Sequence, residues 1–300
     1  MRPIAVAALA YLTVTSAPAV AQPASADTAG ARAAFARGKT AVQARRVDEA
    51  VSQLERAVAL DRENWEYHMW LGHAYSRQIS TVNFMRKALV GRRIGAEYNK
   101  AVELAPDNID AAEARLDFFL NAPGLVGGGL DKAQAEARRI TTLSAYRGRF
   151  AEARIAEHEK HPEQADSAYR ALMREYSDSS GPVVALSMLY QSTGRYGEAV
   201  SVLDARLARF PDDTSSLYQL GRVAGASGQE LDRGEATLRR FLELISPADS
   251  LRQANGHYRI GVIQERRGNM SAARLEYQRA VALNSGHELA SGALKKLDKR

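Results

Sequence analysis

A helix-pair pattern that recurs at intervals of about 34 residues constrains this chain more than any other feature of its sequence. Gly38 and Gly72 lie 34 positions apart, and Gly194, Gly228 and Gly268 each sit in a polar turn between two stretches of helical periodicity. After such a turn come an Ala, an aromatic or Leu four residues on, and often a further Ala three residues later. Ala50-Leu54-Ala57, Ala199-Leu203 and Ala273-Tyr277-Ala280 are the clearest instances. Spacings of four and three place those side chains on one face of a helix. Units end in short polar breaks, two of which contain Pro106 and Pro211; proline lacks the amide donor a helix needs to continue. One such pair cannot bury its apolar stripe alone, whereas stacked pairs share a continuous core. Strand signals are nearly absent, so the expected class is all-α.

The segment from Trp65 to Tyr75 (WEYHMWLGHAY) carries the first half of a known repeat, and residues 254–287 carry a whole one through Gly261, Gly268, Ala273, Tyr277 and Ala280. Residues 180–213 add another through Leu186, Tyr190, Gly194, Ala199 and Pro211. In these positions the chain resembles the tetratricopeptide repeat family. The resemblance implies a solenoid of seven helix pairs, at about 31–64, 65–108, 109–145, 146–179, 180–213, 214–250 and 254–287. A charged capping helix over 288–300 follows, with Leu294 and Leu297 against the last repeat and the lysines in water.

Charge and composition narrow the function. The 300 residues include 41 Lys and Arg against 35 Asp and Glu, so the +6 balance mixes both signs, and no cationic run interleaved with aromatics suggests nucleic acid. The absence of cysteine excludes disulfides, thiolate catalysis and thiolate metal sites. At the start, Arg2, the apolar run Ile4 to Val14 and Ala19-Val20-Ala21 read as a secretory signal over residues 1–21. Its run is too short to span a bilayer comfortably, and no second one follows. The expected product is therefore periplasmic or secreted, from a Gram-negative-like bacterium, without an integral membrane segment, and residues 22–30 form a flexible lead-in.

Departures from a repeat map to loops and binding faces. In the second unit about ten extra residues follow Tyr75, and the stretch 76–95 carries Arg77, Arg86, Lys87, Arg92 and Arg93 with no acidic residue. Phe84, Ala88, Gly91, Gly95, Tyr98 and Val102 recur at spacings of four and three, which predicts that the second helix starts early and runs long; Arg86, Lys87, Arg92 and Arg93 on it form either a solvated helix face or a basic, anion-attracting patch. The third unit contains a glycine-rich stretch, 121–132 (NAPGLVGGGLDK). No Gly-Lys-Ser/Thr ending and no preceding strand accompany it, so it reads as a turn with Asp131 as cap of the next helix, not as a phosphate loop. A similar loop occurs in some exported bacterial repeat proteins that this chain resembles.

No catalytic constellation emerges. His158 and His161 are three apart, but Pro162 forces His161 out of helical geometry. His68 and His73 point in different directions, and neither a zinc-protease spacing nor a nucleophile elbow appears. The expectation is no enzyme, no metal and no cofactor. By the register of the resembled family, the concave groove is implied to carry Phe35 and Lys39; Met69, His73 and Arg77; Glu113 and Asp117; Phe150 and Arg154; Val184, Met188 and Gln191; Tyr218 and Arg222; Tyr258, Val262 and Arg266. Apolar anchors with interspersed arginines suit a protein or peptide segment. The leading reading is an exported, non-catalytic scaffold for protein–protein interaction in the cell envelope. The alternatives are a solenoid that binds a small molecule or glycan for an envelope enzyme or transporter, and a cryptic hydrolase.

Overall fold

The computed structural model describes residues 28–299. The signal sequence expected at 1–21, and residues 22–27 of the lead-in, lie outside the described residues. Helical periodicity is realised as fifteen α-helices with no strand among the described residues. They pair as α1 (Thr28–Gln43) with α2 (Val47–Leu60), α3 (Trp65–Gln78) with α4 (Phe84–Leu104), and α5 (Ile109–Asn121) with α6 (Leu130–Leu143). Next come α7 (Ala145–His158) with α8 (Pro162–Glu175), and α9 (Gly181–Ser192) with α10 (Tyr196–Arg209). The series ends with α11 (Thr214–Ser227) and α12 (Leu231–Leu244), α13 (Ser250–Arg266) and α14 (Met270–Leu283), and a final α15 (Glu288–Leu297). The first helix starts at Thr28, so it takes up the last three residues of the stretch expected to be a flexible lead-in.

Local chemistry fixes the ends of these helices. Asn64, Asn108 and Asp213 accept from backbone amides of the turns that follow them, at 3.1, 2.9 and 3.1 Å. Gly228 and Gly268 turn the chain at φ 76° and 81°, a region that side chains disfavour. In four of the pairs a glycine of the first helix receives a large residue of the second, Gly38 receiving Leu54 in the first pair. A Cβ at Gly72 would come within 2.5 Å of the Tyr98 ring, one at Gly221 within 2.3 Å of Leu238, and one at Gly261 within 2.5 Å of Tyr277. Those three partners are buried, with Leu238 and Tyr277 essentially without exposure.

Consecutive odd-numbered helices touch across repeats, α1 with α3, α3 with α5, α5 with α7, α9 with α11 and α11 with α13, while the even-numbered ones do not pack together comparably. Helices that lie closer to each other are on the inside of a curved stack, so the odd set lines the concave face. The stack curves far enough for its ends to meet. A Cβ on Gly286 would lie 2.1 Å from the Ala44 carbonyl oxygen, and Arg45 bonds Glu288 at 2.8 Å.

The two departures take clear forms. At 21 residues, α4 exceeds its 14-residue neighbour α3 by about 10 Å of helix. Its first two turns overhang, so Phe84 is 85% exposed although it stands on the stripe that farther along sends Gly91, Gly95 and Tyr98 into the core. The glycine-rich stretch forms a 3-10 turn over Gly124–Val126 that lies on α4, with Val126 against Gly91. A Cβ on Gly128 would strike the Ala122 carbonyl, so the glycines serve a tight return of the backbone. Asp131 does not cap α6: the cap position is Gly129, at φ 152°, and Asp131 falls in the first turn. At the far end, Leu297 is buried against Ala273 and Tyr277, with Leu294 beside it.

Candidate functional site

The concave face changes character along its length. At its start the side chains are occupied with one another. Phe35 packs on Tyr67 with ring centroids 4.7 Å apart and meets the edge of Trp70. The Lys39 ammonium sits 4.9 Å from the centre of the Trp70 ring and 3.7 Å from Glu66. Met69 packs into the core between repeats. Phe35, Tyr67, Trp70 and Lys39 join α1 to α3, with the Lys39 side chain still 41% exposed.

A cleft of about 390 Å³ follows, between α3, α4, α5 and the 3-10 turn. Its lining is mostly apolar, from Ile79, Ile94, Phe118 and Val126, with His73, Ser76, Tyr98, Asp117 and Asn121 as the polar groups. His73 Nδ1 lies 2.8 Å from the Tyr98 hydroxyl, which is also 3.3 Å from Ser76 Oγ. Burial holds His73 below its usual pKa, so the ring is neutral near pH 7. Burial likewise pushes the Tyr98 phenol up to about 12. The histidine, serine and aspartate do not form a proton relay: the Ser76 hydroxyl donates to the Gly72 carbonyl, and Asp117 pairs with Arg154. Arg77 lies exposed at the end of α3.

The middle of the face is knitted by ion pairs between consecutive odd helices. Arg147 of α7 reaches Asp110 and Glu113 of α5, and Arg154 reaches Asp117. Phe150 is tilted against Tyr146 and Tyr169 at 6.1 and 5.5 Å, so it packs between α7 and α8. Met188 is the most open of the groove positions on α9, at 40% exposure.

The last third is cationic. Tyr218 lies on Phe241 with centroids 5.3 Å apart, and its hydroxyl accepts from Arg259 at 3.2 Å. The Arg259 guanidinium also covers Tyr258 at 5.2 Å. Arg222 is half-buried, reaches only Gln219 at 3.4 Å, and pairs with no carboxylate among the described residues. Burial lowers its pKa, and the charge of Arg259 lowers it further. A cleft of about 240 Å³ opens here between Val184, Thr214, Tyr218, Phe241, Arg252 and Asn255. Arg266, also expected in the groove, is exposed. It donates to the carbonyls of Gly225 and Ala226 at 3.2 Å and so caps the end of α11.

Thus the three arginines expected on one register take three different partners: Arg154 a carboxylate, Arg266 backbone carbonyls, and Arg222 the Gln219 side chain. Tyr98, Phe118, Arg252, Asn255 and Arg259 also line the face, though register on the odd helices does not select them. Tyr98 and the cation beside Tyr258 had a visible signal, the aromatic of the helix-B pattern and the Arg next to a groove tyrosine. In the insertion, Arg93 lies 3.9 Å from Glu55 and 5.7 Å from the centre of the Tyr75 ring. Arg86, Lys87 and Arg92 are exposed and have no carboxylate partner among the described residues. No grouping of three metal-ligating side chains occurs among the described residues.

A tetratricopeptide-repeat sequence profile matches residues 35–78 and 218–288, which span α1 to α3 and α11 into α15. No curated protein sequence matches the chain. Among solved structures, a tetratricopeptide repeat protein from Parabacteroides merdae is similar with a TM-score of 0.53 and 14% identity, over 91% of this chain and 100% of that one. Yeast Tom70 is similar with a TM-score of 0.62 and 10% identity, over 93% of this chain and 58% of its own. At these identities the likeness is one of fold.

Proposed function

We propose that this tetratricopeptide-repeat solenoid is an exported, non-catalytic scaffold that holds an extended segment of a cell-envelope protein against its concave face. The repeat profile supports the scaffold part of this reading, because a curved stack of helix pairs offers a long lined surface and no enclosed reaction chamber. Export and the envelope setting draw on the signal pattern of residues 1–21.

The observation that carries the reading is the state of Arg222. A half-buried guanidinium beside a second one, with no counter-charge among the described residues, is electrostatically incomplete. A carboxylate supplied by a partner would complete it with forked hydrogen bonds, and Tyr218 would flank the bound chain. The partner segment therefore carries an acidic side chain or its own C-terminal carboxylate. Selection from a peptide library with free and with amidated C-termini tests this. Enrichment of acidic residues or of free termini is the expected result, and enrichment of neutral or basic sequences would contradict it.

The cleft at His73 and Tyr98 favours a second reading, a site for a small molecule or glycan. Its lining is mainly aliphatic and aromatic, however, and it opens to solvent on one side, which suits an apolar side chain of the same bound segment.

A further inference from the structure

The insertion in the second repeat leaves a feature that the concave face does not use. The first two turns of α4 overhang the stack and present Phe84 and Met85 at 85% and 84% exposure, with Leu89 at 56%. The 3-10 turn lies against the third turn of α4 through Val126 and Gly91, which brings Leu125, 77% exposed, to the same end of the molecule. Monomeric proteins rarely leave large apolar side chains this open in a cluster without a use for them. Around the cluster stand Arg86, Lys87 and Arg92, none of them paired with a carboxylate among the described residues, and the whole stretch 76–95 has no acidic residue.

We infer that this tip docks on an anionic lipid surface, with the apolar side chains seated at the boundary between headgroups and acyl chains and the cations on the headgroups. The shape decides between a lipid surface and a protein. Because α4 runs seven residues longer than α3, the tip projects by about two helical turns, with the exposed Phe84 and Met85 at its end. A projecting tip of this kind enters a soft planar interface directly, whereas a protein would have to bring a matching recess. Exposed apolar side chains with cations interspersed among them are a combination that binds interfaces, and each cation adds to the attraction of anionic headgroups. No helix among the described residues is long and apolar enough to cross a membrane, so attachment through the tip is peripheral and reversible. The Arg222 end of the concave face belongs to α11, in the sixth pair, whereas the tip belongs to α4, in the second, so that end stays open to a partner while the tip is docked.

Co-sedimentation of the full chain with vesicles tests the inference, using phosphatidylcholine alone and phosphatidylcholine mixed with phosphatidylglycerol, at low and high salt. Two paired variants, Phe84→Ser with Met85→Ser and Arg86→Glu with Arg92→Glu, change only exposed side chains, and helicity measured by circular dichroism should match the parent. The expected result is binding to the anionic vesicles that high salt weakens, and that each pair lowers on the order of tenfold or more. Equal binding by parent and both pairs would place the membrane contact elsewhere, including the apolar N-terminal stretch, and overturns the inference. So does failure to bind anionic vesicles, or capture of an acidic protein by the tip without vesicle affinity. Peptide binding at Arg222 is read separately, so either proposal can fail without the other.

Discussion

Arg45, in the turn between α1 and α2, forms an ion pair with Glu288, the first residue of α15, with nitrogen and oxygen 2.8 Å apart. The two residues belong to opposite ends of the stack, so their contact closes the superhelix on itself. The pair is exposed, and such pairs contribute about 0–1 kcal/mol; the close approach of Gly286 to Ala44 holds the seam more firmly. Gly286→Val should therefore part the ends, because its side chain has no room beside the Ala44 carbonyl. Small-angle scattering should give a larger radius of gyration for this variant, while Glu288→Ala should leave it nearly unchanged. An unchanged radius in Gly286→Val would mean that the ends do not touch in solution.

Small-on-large packing within repeats predicts a contrast between glycines. Gly72→Ala forces a methyl group into the Tyr98 ring and should cost about 1–3 kcal/mol. Gly197, in α10, has open space around its Cβ position, so Gly197→Ala should stabilise by about 0.4–1 kcal/mol. Denaturant unfolding measured side by side checks both signs.

Histidines set the acid response. Burial depresses the pKa of both His73 and His287, so each binds its proton more readily in the unfolded chain. Their effect is a loss of stability as pH falls below the ordinary value of 6.5 toward their lowered values. His68 acts in the opposite sense. Burial pulls its pKa down, but hydrogen bonds to Glu97 and the Arg62 carbonyl outweigh this and raise it. Its contribution is present below 6.5 and fades as pH rises through the raised value. His73→Phe should thus flatten the drop in Tm on acidification from neutrality, and His68→Gln should steepen it. Melting curves across that range decide the matter.

The helix pairs, their spacing and the early start of α4 were legible in the sequence because periodicity reports which faces are buried. Partners were less legible. Arg154, Arg222 and Arg266 look alike at their register, yet their environments differ because Asp117 faces one, the end of α11 faces another, and Gln219 with a second guanidinium, Arg259, faces the third. Asp117, the end of α11 and Arg259 lie about 37 to 41 positions away in chain order, beyond the reach of a local pattern. Phe84 shows the complementary failure. Its spacing matches the core stripe, but the neighbouring helices end before they reach it, so the same periodicity that buries Tyr98 leaves Phe84 in solvent.

In the proposed function a carboxylate-bearing segment binds at Arg222 on the concave face. Calorimetry with a peptide selected by the parent protein tests it most directly, with Arg222→Ala, Tyr218→Ala and the paired Arg86→Glu and Arg92→Glu variant measured beside it. Arg222→Ala and Tyr218→Ala should each weaken binding by about 1–3 kcal/mol with helicity unchanged, and the charge-reversed tip should bind as the parent does apart from its salt dependence. Full affinity in both groove variants, with affinity lost in the tip variant, would contradict the claim and move recognition to the insertion.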